Sequence, residues 1–394
     1  MSIVLDFVTS TAIGLVAYHH VGYPLLLRAV ARTAARREER PVRGFRERAD
    51  DRALPSVTLL IPAFNEASVI GQKVMNILSL DYPADRLNLR IVCDGCSDDT
   101  YQVAMAAASF DDDALARVTV VNCMENRGKV AVLNEQIPLC DTDLVALTDA
   151  SSIVAVDALL KAARYFEDAD VAVVSGSYRL LDPGSEGERA YWSYQGRVRQ
   201  AEAALGGAIG AHGAFYLLRR DRFRALPADT INDDFILPMT LVAGGGRAVY
   251  AADVLAYELD GTSLVADWRR RTRIGAGNLQ QAIRLAGLLS PRYRGTALAF
   301  FSGKFLRAFM PFIMLVALVG SILLGPTGDV WALAAAAQLL GYTGAGLVHL
   351  TPRLPWPGVA RKIHYLVQGH VANGVGALSY LLGRHRRPWR RVGA

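Results

Sequence analysis

The sequence predicts an α/β fold, a doubly wound and mostly parallel sheet, with flanking helices that cross a membrane. Three observations support this prediction. Between Val57 and about Leu259, short apolar runs alternate with helical patterns, which is typical of strands and helices in a parallel sheet. With 52% hydrophobic and only 20% charged residues, the chain is too apolar for an average soluble enzyme. The excess lies in Ile3–Val30 and Phe305–Leu382, which flank a middle region of ordinary composition.

Residues 1–30 are predicted to form the first membrane helix, because the apolar run Ile3–Val30 is long enough to span a bilayer. It carries Asp6 and the pair His19-His20. It lacks the basic start and the cleavage site of a signal peptide, which makes that alternative the weaker one. The arginine-rich residues 31–54 form a predicted cytoplasmic linker, so that the N-terminus lies outside.

The middle region, residues 55–262, is predicted to be the catalytic domain. Its predicted strands are Val57–Pro62, Leu89–Cys93, Val118–Val121, Leu144–Thr148, Val171–Gly176 and Ala214–Leu218. Helical patterns separate most of them, at Ser68–Leu80, Asp99–Ser109, Lys129–Ile137 and Val156–Glu167. Acidic residues at Asp94, Asp149 and Asp233-Asp234 stand next to such elements. Since ligands bind at the carboxyl ends of strands in open α/β sheets, these acids are expected to converge at one sheet edge.

The remaining residues are predicted to form helices. In residues 263–304, a helix after Ser263 carries four arginines among Arg269–Arg273, which suit either an anionic ligand or a membrane surface. Residues 305–350 form a predicted membrane hairpin, with no Lys or Arg between its two apolar runs. Residues 351–394 contain the more polar run Ile363–Leu382 and a basic tail. That run either lies in the membrane interface or crosses the membrane once more.

Charge and cysteine content exclude several classes of protein. The net charge of +6 is concentrated beside the apolar segments and is not interleaved with aromatic residues, so no nucleic-acid partner is predicted. The four cysteines lie in the middle region without a disulfide-rich pattern, which favours a reducing, cytosolic setting. Cys93 and Cys96 form a Cys-x-x-Cys, but no second Cys/His pair is present to complete a zinc site.

Five motifs follow one another in a characteristic order. They are Leu59–Glu66, Cys93–Thr100, Asn126–Lys129 with Ala131, Leu133 and Asn134 after it, Thr148–Ser151 and Asn232–Asp234. In this order, along nearly the whole chain, they resemble the membrane-anchored family-two inverting glycosyltransferases, which include the cellulose, hyaluronan and poly-N-acetylglucosamine synthases. The resemblance implies the GT-A fold, a Rossmann-like fold that binds nucleotide-diphospho-sugars.

The resemblance also implies roles for individual residues. The nucleotide-binding residues would be Pro62, Ala63, Asn65, Glu66, Asp94, Gly128, Lys129, Asp149 and Ala150. Asp149, with Ser151, would bind Mg²⁺ or Mn²⁺ and so balance the charge of the leaving diphosphate. Asp234 would be the general base that deprotonates the acceptor hydroxyl, with Asp233 as the alternative.

A further group of residues is assigned to the phosphates or the acceptor: Arg270, Arg271, Arg273, His212 and Trp192. Trp192 lies on a helical stretch that resembles the acceptor-side helix of the family, but packing into the core explains it equally well. His212 precedes a strand and is placed on the acceptor side, although a lone His also has structural explanations.

The chain departs from the family pattern at two places. Ser151 replaces the second acid of the Asp-x-Asp motif, so weaker metal binding is expected. The Gln-x-x-Arg-Trp motif of processive members is reduced to Arg270–Ile274, without Gln or Trp, which argues against polymer synthesis. We therefore expect a non-processive enzyme that uses a nucleotide-diphosphate sugar, in the first place a UDP-sugar, and a lipid-linked or glycan acceptor.

The alternatives are a processive synthase, or a non-catalytic GT-A scaffold of a polysaccharide-assembly complex. The expected location is the inner or plasma membrane, multi-pass, with the catalytic domain in the cytoplasm. An oligomer is possible, because three predicted spans are few for a channel built by one chain.

Overall fold

The computed structural model describes residues 2–33, 53–110, 115–180, 186–258 and 264–384. The chain divides into two compact units. The helical unit comprises Met1–Ala29, Leu264–Ala286 and Leu298–His385, and the sheet unit comprises Val30–Ser263, Gly287–Ala297 and Arg386–Ala394. Most of the predicted basic linker, the basic end of the chain and Ser263 lie outside the described residues. The predicted domain boundaries stay predictions.

The sheet unit is built on one mixed sheet. Its strands are β1 (Val57–Ala63), β2 (Leu87–Asp94), β3 (Val118–Cys123), β4 (Leu144–Leu147), β5 (Ser152–Val154), β6 (Val171–Leu180), β7 (Tyr216–Arg219) and β8 (Arg247–Glu258). Their order across the sheet is β3-β2-β1-β4-β7-β6-β8-β5. The pairs β1–β2, β1–β4, β2–β3 and β6–β8 are parallel. Strand β7 runs antiparallel to β4 and β6, and β5 runs antiparallel to β8.

The α-helices follow in chain order. They are α1 (Ser2–Ala17), α2 (Tyr23–Thr33), α3 (Ile70–Leu78), α4 (Thr100–Ala108), α5 (Lys129–Gln136), α6 (Ala158–Tyr165), α7 (Glu186–Leu205), α8 (Asp233–Ala243), α9 (Leu264–Arg284), α10 (Gly295–Phe300), α11 (Leu306–Leu324), α12 (Asp329–Leu350) and α13 (Gly358–Leu381). Two π-helical turns, Tyr18–Gly22 and Phe301–Phe305, interrupt the helices of the helical unit.

Strand β1 lies at the centre of the core. All seven of its residues are buried, because parallel neighbours flank it on both edges and helices cover its faces. Six of these residues are apolar, and the seventh, Thr58, has its hydroxyl 2.8 Å from that of Thr142. Ile70 and Val74 of α3 belong to the same buried cluster as Leu59 and Ile61 of β1. The carboxyl end of β1 is thereby fixed next to those of β2 and β4.

The predicted α/β class is confirmed, but the sheet contains more antiparallel pairing than the alternation suggested. An apolar run reads the same in either direction, so periodicity alone does not reveal that β7 runs against β4. Two strands, β5 and β8, were not predicted. Strand β5 has only three residues. In the longer β8, Asp253 and the exposed Ala252 interrupt the pattern of buried apolar residues. Both strands border the candidate active site.

The helical unit contains the apolar segments. Among the described residues, three helices are long and apolar enough to cross a membrane: Ile3–Arg32, Gly295–Thr327 and Asp329–Leu350. They coincide with the three apolar runs predicted to be membrane spans. Helix α13 is not among them, so the choice between an interfacial helix and a further crossing stays a prediction.

The two π-helical turns carry a polar cluster inside this apolar unit. The Tyr18 hydroxyl and the Ser302 hydroxyl are 2.7 Å apart, and His19 Nδ1 lies 3.1 Å from the Ser302 carbonyl oxygen. His20 Nε2 and His370 Nε2 are 2.9 Å apart. No partner for these histidines is evident in the sequence. In the structure, His19 contacts Ser302 and His20 contacts His370, and the two residues of each pair are more than 280 positions apart in the sequence.

Gly95, which follows β2, occupies a position that only glycine suits. Its φ is +66°, in the left-handed region, and a Cβ there would lie 2.2 Å from the backbone nitrogen of Asn126. Its N–H donates to the Cys123 carbonyl oxygen at 3.0 Å. The turn after β2 therefore packs directly against the turn after β3.

We expect Gly95→Ala to destabilise the sheet unit. The left-handed conformation costs a non-glycine residue about 1–2 kcal/mol, and the close approach to Asn126 adds the cost of moving the backbone. Gly245→Ala is the matched control, because Gly245 has a φ of +94° and a Cβ added there would meet no atom within 4 Å. In thermal unfolding of the detergent-solubilised chain, Gly95→Ala should lower Tm clearly more than Gly245→Ala. Equal losses would contradict the steric part of this argument.

Candidate active site

The acidic residues of the sheet unit converge at one sheet edge. Asp94 is the last residue of β2, Asp149 follows β4, and Asp233 begins α8. Lys129, the first residue of α5, joins two of them: its Nζ lies 2.9 Å from Asp149 Oδ1 and 3.3 Å from Asp233 Oδ2. The acids therefore converge in the structure, as their positions beside the predicted strands and helices suggested.

Asp94 is fully buried and organises the neighbouring turn. Its Oδ2 accepts hydrogen bonds from the backbone N–H groups of Arg127, at 3.0 Å, and Gly128, at 2.7 Å. Its Oδ1 is buried without a hydrogen-bond partner among the described residues, with Arg127 Nε 3.6 Å away. An unsatisfied buried acceptor is costly. A ligand hydroxyl or N–H group at this position would satisfy it.

The turn after β1 is tied to the turn after β2. Asn65, with a φ of +56°, accepts a hydrogen bond from the Ser97 N–H at 2.8 Å, and the Glu66 N–H donates to Thr100 Oγ1 at 2.8 Å. Pro62 and Ala63 are buried at the end of β1. Cys93 and Cys96 are free, and Cys96 Sγ packs 3.6 Å from the Ala63 carbonyl oxygen. Cys93 is fully buried in the hydrophobic core, so the two cysteines have packing roles here.

Charges around Lys129 reinforce one another. Burial disfavours the Lys129 ammonium, but Asp149 and then Asp233 outweigh it and raise its pKa above the ordinary value. Partial burial likewise opposes the charge of Asp149, while Lys129 lowers its pKa below the ordinary value. Both groups are therefore held in their charged forms. Asp149 nevertheless keeps 45% of its side chain exposed.

The two adjacent acids of α8 lie in different environments. Asp233 is only 14% exposed and is paired with Lys129. The pKa of Asp234 is raised to about 6 by burial and by the charge of Asp233, although Lys129 opposes the rise. Tyr216 lies near both acids with its hydroxyl buried and without a hydrogen-bond partner among the described residues.

Three residues that the sequence did not single out for this site, Gly213, Tyr178 and Glu258, contact Asp149 or its predicted partners His212 and Ser151. A Cβ at Gly213 would lie 2.7 Å from Asp149 Oδ2, so the backbone approaches the carboxylate closely. The His212 ring stacks on Tyr178, with ring centroids 4.1 Å apart. Glu258 Oε2 accepts a hydrogen bond from the Tyr178 hydroxyl at 2.8 Å, and its Oε1 accepts one from Ser151 Oγ at 3.1 Å. A second carboxylate therefore stands beside the Ser151 position.

The donor atoms around Asp149 fit a hard divalent cation. Asp149 offers an accessible carboxylate, Ser151 adds a hydroxyl oxygen, and Glu258 contacts that hydroxyl. Mg²⁺ and Mn²⁺ prefer oxygen ligands, and Mg²⁺ often takes one or two carboxylates together with substrate phosphates and water. Within the described ranges, no group of three or more His, Cys, Asp or Glu side chains forms a complete cage. The residues thus suit a cation whose remaining ligands come from a diphosphate.

Other predicted site residues lie elsewhere or outside the described part. Arg270, Arg271 and Arg273 belong to α9 of the helical unit, where the Arg271 guanidinium lies 4.4 Å from the centre of the Tyr365 ring. Trp192 is part of α7, but its side chain lies outside the described residues. Ala150 is buried in the turn after β4. The roles assigned to these residues stay predictions.

One fully buried residue of this region, Lys73, has no counterpart among the predicted site residues. It lies on α3 and reaches the turn after β4, with its Nζ 2.7 Å from Thr148 Oγ1. The sequence signal was weak, because a lysine within an amphipathic helix normally faces solvent.

Two curated proteins are similar to this chain over part of their length. A beta-monoglucosyldiacylglycerol synthase from Trichormus variabilis is 27% identical over 251 residues, which cover 62% of this chain and 53% of that protein. A poly-beta-1,6-N-acetyl-D-glucosamine synthase from Staphylococcus aureus is 26% identical over 239 residues, 59% of this chain and 56% of that protein. The chain spans about half the length of these curated relatives.

A solved structure confirms the predicted GT-A fold. The mannosyltransferase PcManGT from Pyrobaculum calidifontis, solved in complex with GDP-Man and Mn²⁺, superposes with a TM-score of 0.70 at 24% identity. The match covers 96% of this chain and 99% of that one. The family profile described as "Glycosyltransferase like family 2" matches residues 55–277. The profile covers more than half of the residues of this chain, so the chain belongs to glycosyltransferase-like family 2.

Proposed function

We propose that this chain is a membrane-bound inverting glycosyltransferase that moves a sugar from a nucleoside-diphosphate sugar to a lipid-linked or polysaccharide acceptor. The observation that carries the proposal is the Lys129 bridge between Asp149 and Asp233, with Asp234 beside it at a raised pKa. The site combines a fixed cation for a diphosphate, Lys129, with a carboxylate suited to remove a proton, Asp234. These are the two demands of an inverting displacement.

The donor would be bound along the turns after β1, β2 and β3. The unsatisfied Asp94 Oδ1 is suited to a ribose hydroxyl or a base N–H. Pro62, Ala63, Asn65 and Glu66 would line the other side of the nucleotide. The Lys129 ammonium would attract the diphosphate. A UDP-sugar is our first candidate for the donor, and a GDP-sugar is the alternative to test beside it.

Asp149 and Ser151 would hold Mg²⁺ or Mn²⁺, which would neutralise charge that develops on the leaving diphosphate. The Asp234 carboxylate would accept the proton of the acceptor hydroxyl. The acceptor oxygen would then form its bond to the sugar carbon on the face opposite the departing diphosphate. Asp233 would fix the position of the lysine through its ion pair.

The acceptor side rests on two kinds of support. The three apolar helices favour an acceptor at a membrane, with the sheet unit in the cytoplasm. The curated relatives include a synthase named for a glucosyl lipid and one named for a polysaccharide. His212 would face the acceptor or the phosphates, and Arg270, Arg271, Arg273 and Trp192 would contribute further contacts there.

Replacement of the base should abolish transfer without abolishing donor binding. We expect Asp234→Asn to lower kcat by at least about 100-fold, since general-base catalysis contributes on that order. The affinity for UDP or GDP should change little. The measurement is release of nucleoside diphosphate from a panel of UDP- and GDP-sugars with Mg²⁺ or Mn²⁺.

Asp233→Asn serves as the matched variant one residue away. It should reduce activity less than Asp234→Asn, because it removes a partner of Lys129 but leaves the base. Full activity of Asp234→Asn would overturn the assignment of the base. Binding of nucleotide without turnover of any sugar donor would instead favour the non-catalytic scaffold, which Ser151 keeps as the second candidate.

The activity should also depend on pH in a defined direction. A general base acts when it is deprotonated, and the pKa of Asp234 is raised to about 6. We therefore expect kcat/KM to rise about tenfold per pH unit below pH 6 and to level off above pH 7. A profile that is flat between pH 5 and pH 7 would contradict the role of Asp234. Circular dichroism over the same range would serve as the control for unfolding.

A further inference from the structure

Lys73 is a charged residue inside the core of the sheet unit. It lies on α3, and its side chain has no exposed surface. Lysine is almost never fully buried without a partner, because removing an ammonium from water costs several kcal/mol. Such a residue on an otherwise apolar helix face calls for a specific reason.

Its hydrogen bonds match the charged form. Lys73 Nζ lies 2.7 Å from Thr148 Oγ1, 2.6 Å from the Ser152 carbonyl oxygen and 3.2 Å from Ser152 Oγ. Each hydroxyl has a carbonyl oxygen as an acceptor for its own proton: both lie 2.7–2.9 Å from the Ala214 carbonyl oxygen, and Ser152 Oγ also lies 3.0 Å from that of Asp149. Both hydroxyl oxygens are thus available to accept from Lys73. The ammonium, with three N–H groups, matches the three acceptors.

The charge of Lys73 is not neutralised by a direct ion pair among the described residues. Burial lowers its pKa to about 7, while Asp149 and Glu258 act in the opposite direction. These are the carboxylates that flank Ser151. Lys73 thus places a positive charge beneath the turn that carries Asp149 and Ser151.

We propose that Lys73 is a fixed cation of the donor site with two effects. It balances part of the diphosphate charge, and it weakens the binding of a divalent cation at Asp149. The proposal rests on the proposed function and adds a residue to it. Like charges repel and opposite charges attract over several ångströms in a partly desolvated site. The same ammonium therefore favours a diphosphate and disfavours a divalent cation.

The identity of Ser151 fits this division of charge. A serine in place of an acid removes one negative charge from the turn, and Lys73 adds one positive charge below it. Both changes reduce the attraction for a metal ion and increase that for a phosphate. Lys129 contacts Asp149 directly at 2.9 Å, so two lysines act on this carboxylate.

The test is the variant Lys73→Met in the full-length chain, at pH 6.5. Mn²⁺ binding without nucleotide is measured by electron paramagnetic resonance, and binding of UDP and GDP without metal by calorimetry. We expect Mn²⁺ to bind about tenfold more tightly and the nucleoside diphosphate about tenfold more weakly than in the unmodified chain. A residue with only a structural role would not move the two affinities in opposite directions.

Lys161→Met is the matched control, because it makes the same charge change in the same unit, at a lysine of α6 that pairs with Asp157 at 2.8 Å. It should leave both affinities unchanged. Lys73→Gln keeps a donor for the Ser152 carbonyl oxygen while it removes the charge, and it should show the same opposite shifts. It serves as the second variant if Lys73→Met does not fold.

Unchanged affinities in Lys73→Met, or a parallel loss of both, would overturn the proposal. Failure of the unmodified chain to bind UDP or GDP, with or without Mn²⁺, would overturn the proposed function instead. The Mn²⁺ measurement would still decide the role of Lys73 in that case, since it needs no nucleotide.

Discussion

The candidate active site depends on the ion pairs of Lys129. This residue begins a helix and holds Asp149, which follows β4, and Asp233, which begins another helix. Carboxylates this close repel one another, so the cluster is stable only because a cation stands between them. The pairing also fixes the position of the ammonium itself. A preorganised charge of this kind costs little reorganisation when a diphosphate binds, which is the main advantage of a protein site over water.

Much of the fold and part of the site could be predicted from local sequence. Short branched runs with intervening helical patterns identified the α/β class, because buried strands and amphipathic helices have different periods. The order of the acidic motifs identified Asp94, Asp149 and Asp233 as neighbours, since strand ends in such sheets meet at one edge. Strand direction was beyond these rules: β7 has the same kind of apolar run as a parallel strand.

The residues that were missed have partners far away in sequence. Lys73 bonds to Thr148 and Ser152, and Ser151 bonds to Glu258, so neither role is visible in any short window. Glu258 lies at the end of a strand that was not predicted at all. These are the residues that decide the charge around Asp149. The Asp-x-Asp motif shows only that an acid is replaced by Ser151. The fold adds the Glu258 carboxylate and the Lys73 ammonium close to the same turn.

The adjacent acids Asp233 and Asp234 illustrate how the fold separates two similar groups. Successive residues of a helix point about 100° apart, so the two carboxylates meet different surroundings. Asp233 is paired with Lys129, and Asp234 has a pKa raised to about 6 by burial and by its neighbour. The helix N-terminus favours negative charge at both positions. The difference between them therefore comes from Lys129 and from burial. The same lysine that would bind the diphosphate thereby occupies Asp233, and Asp234 is the acid without that ion pair.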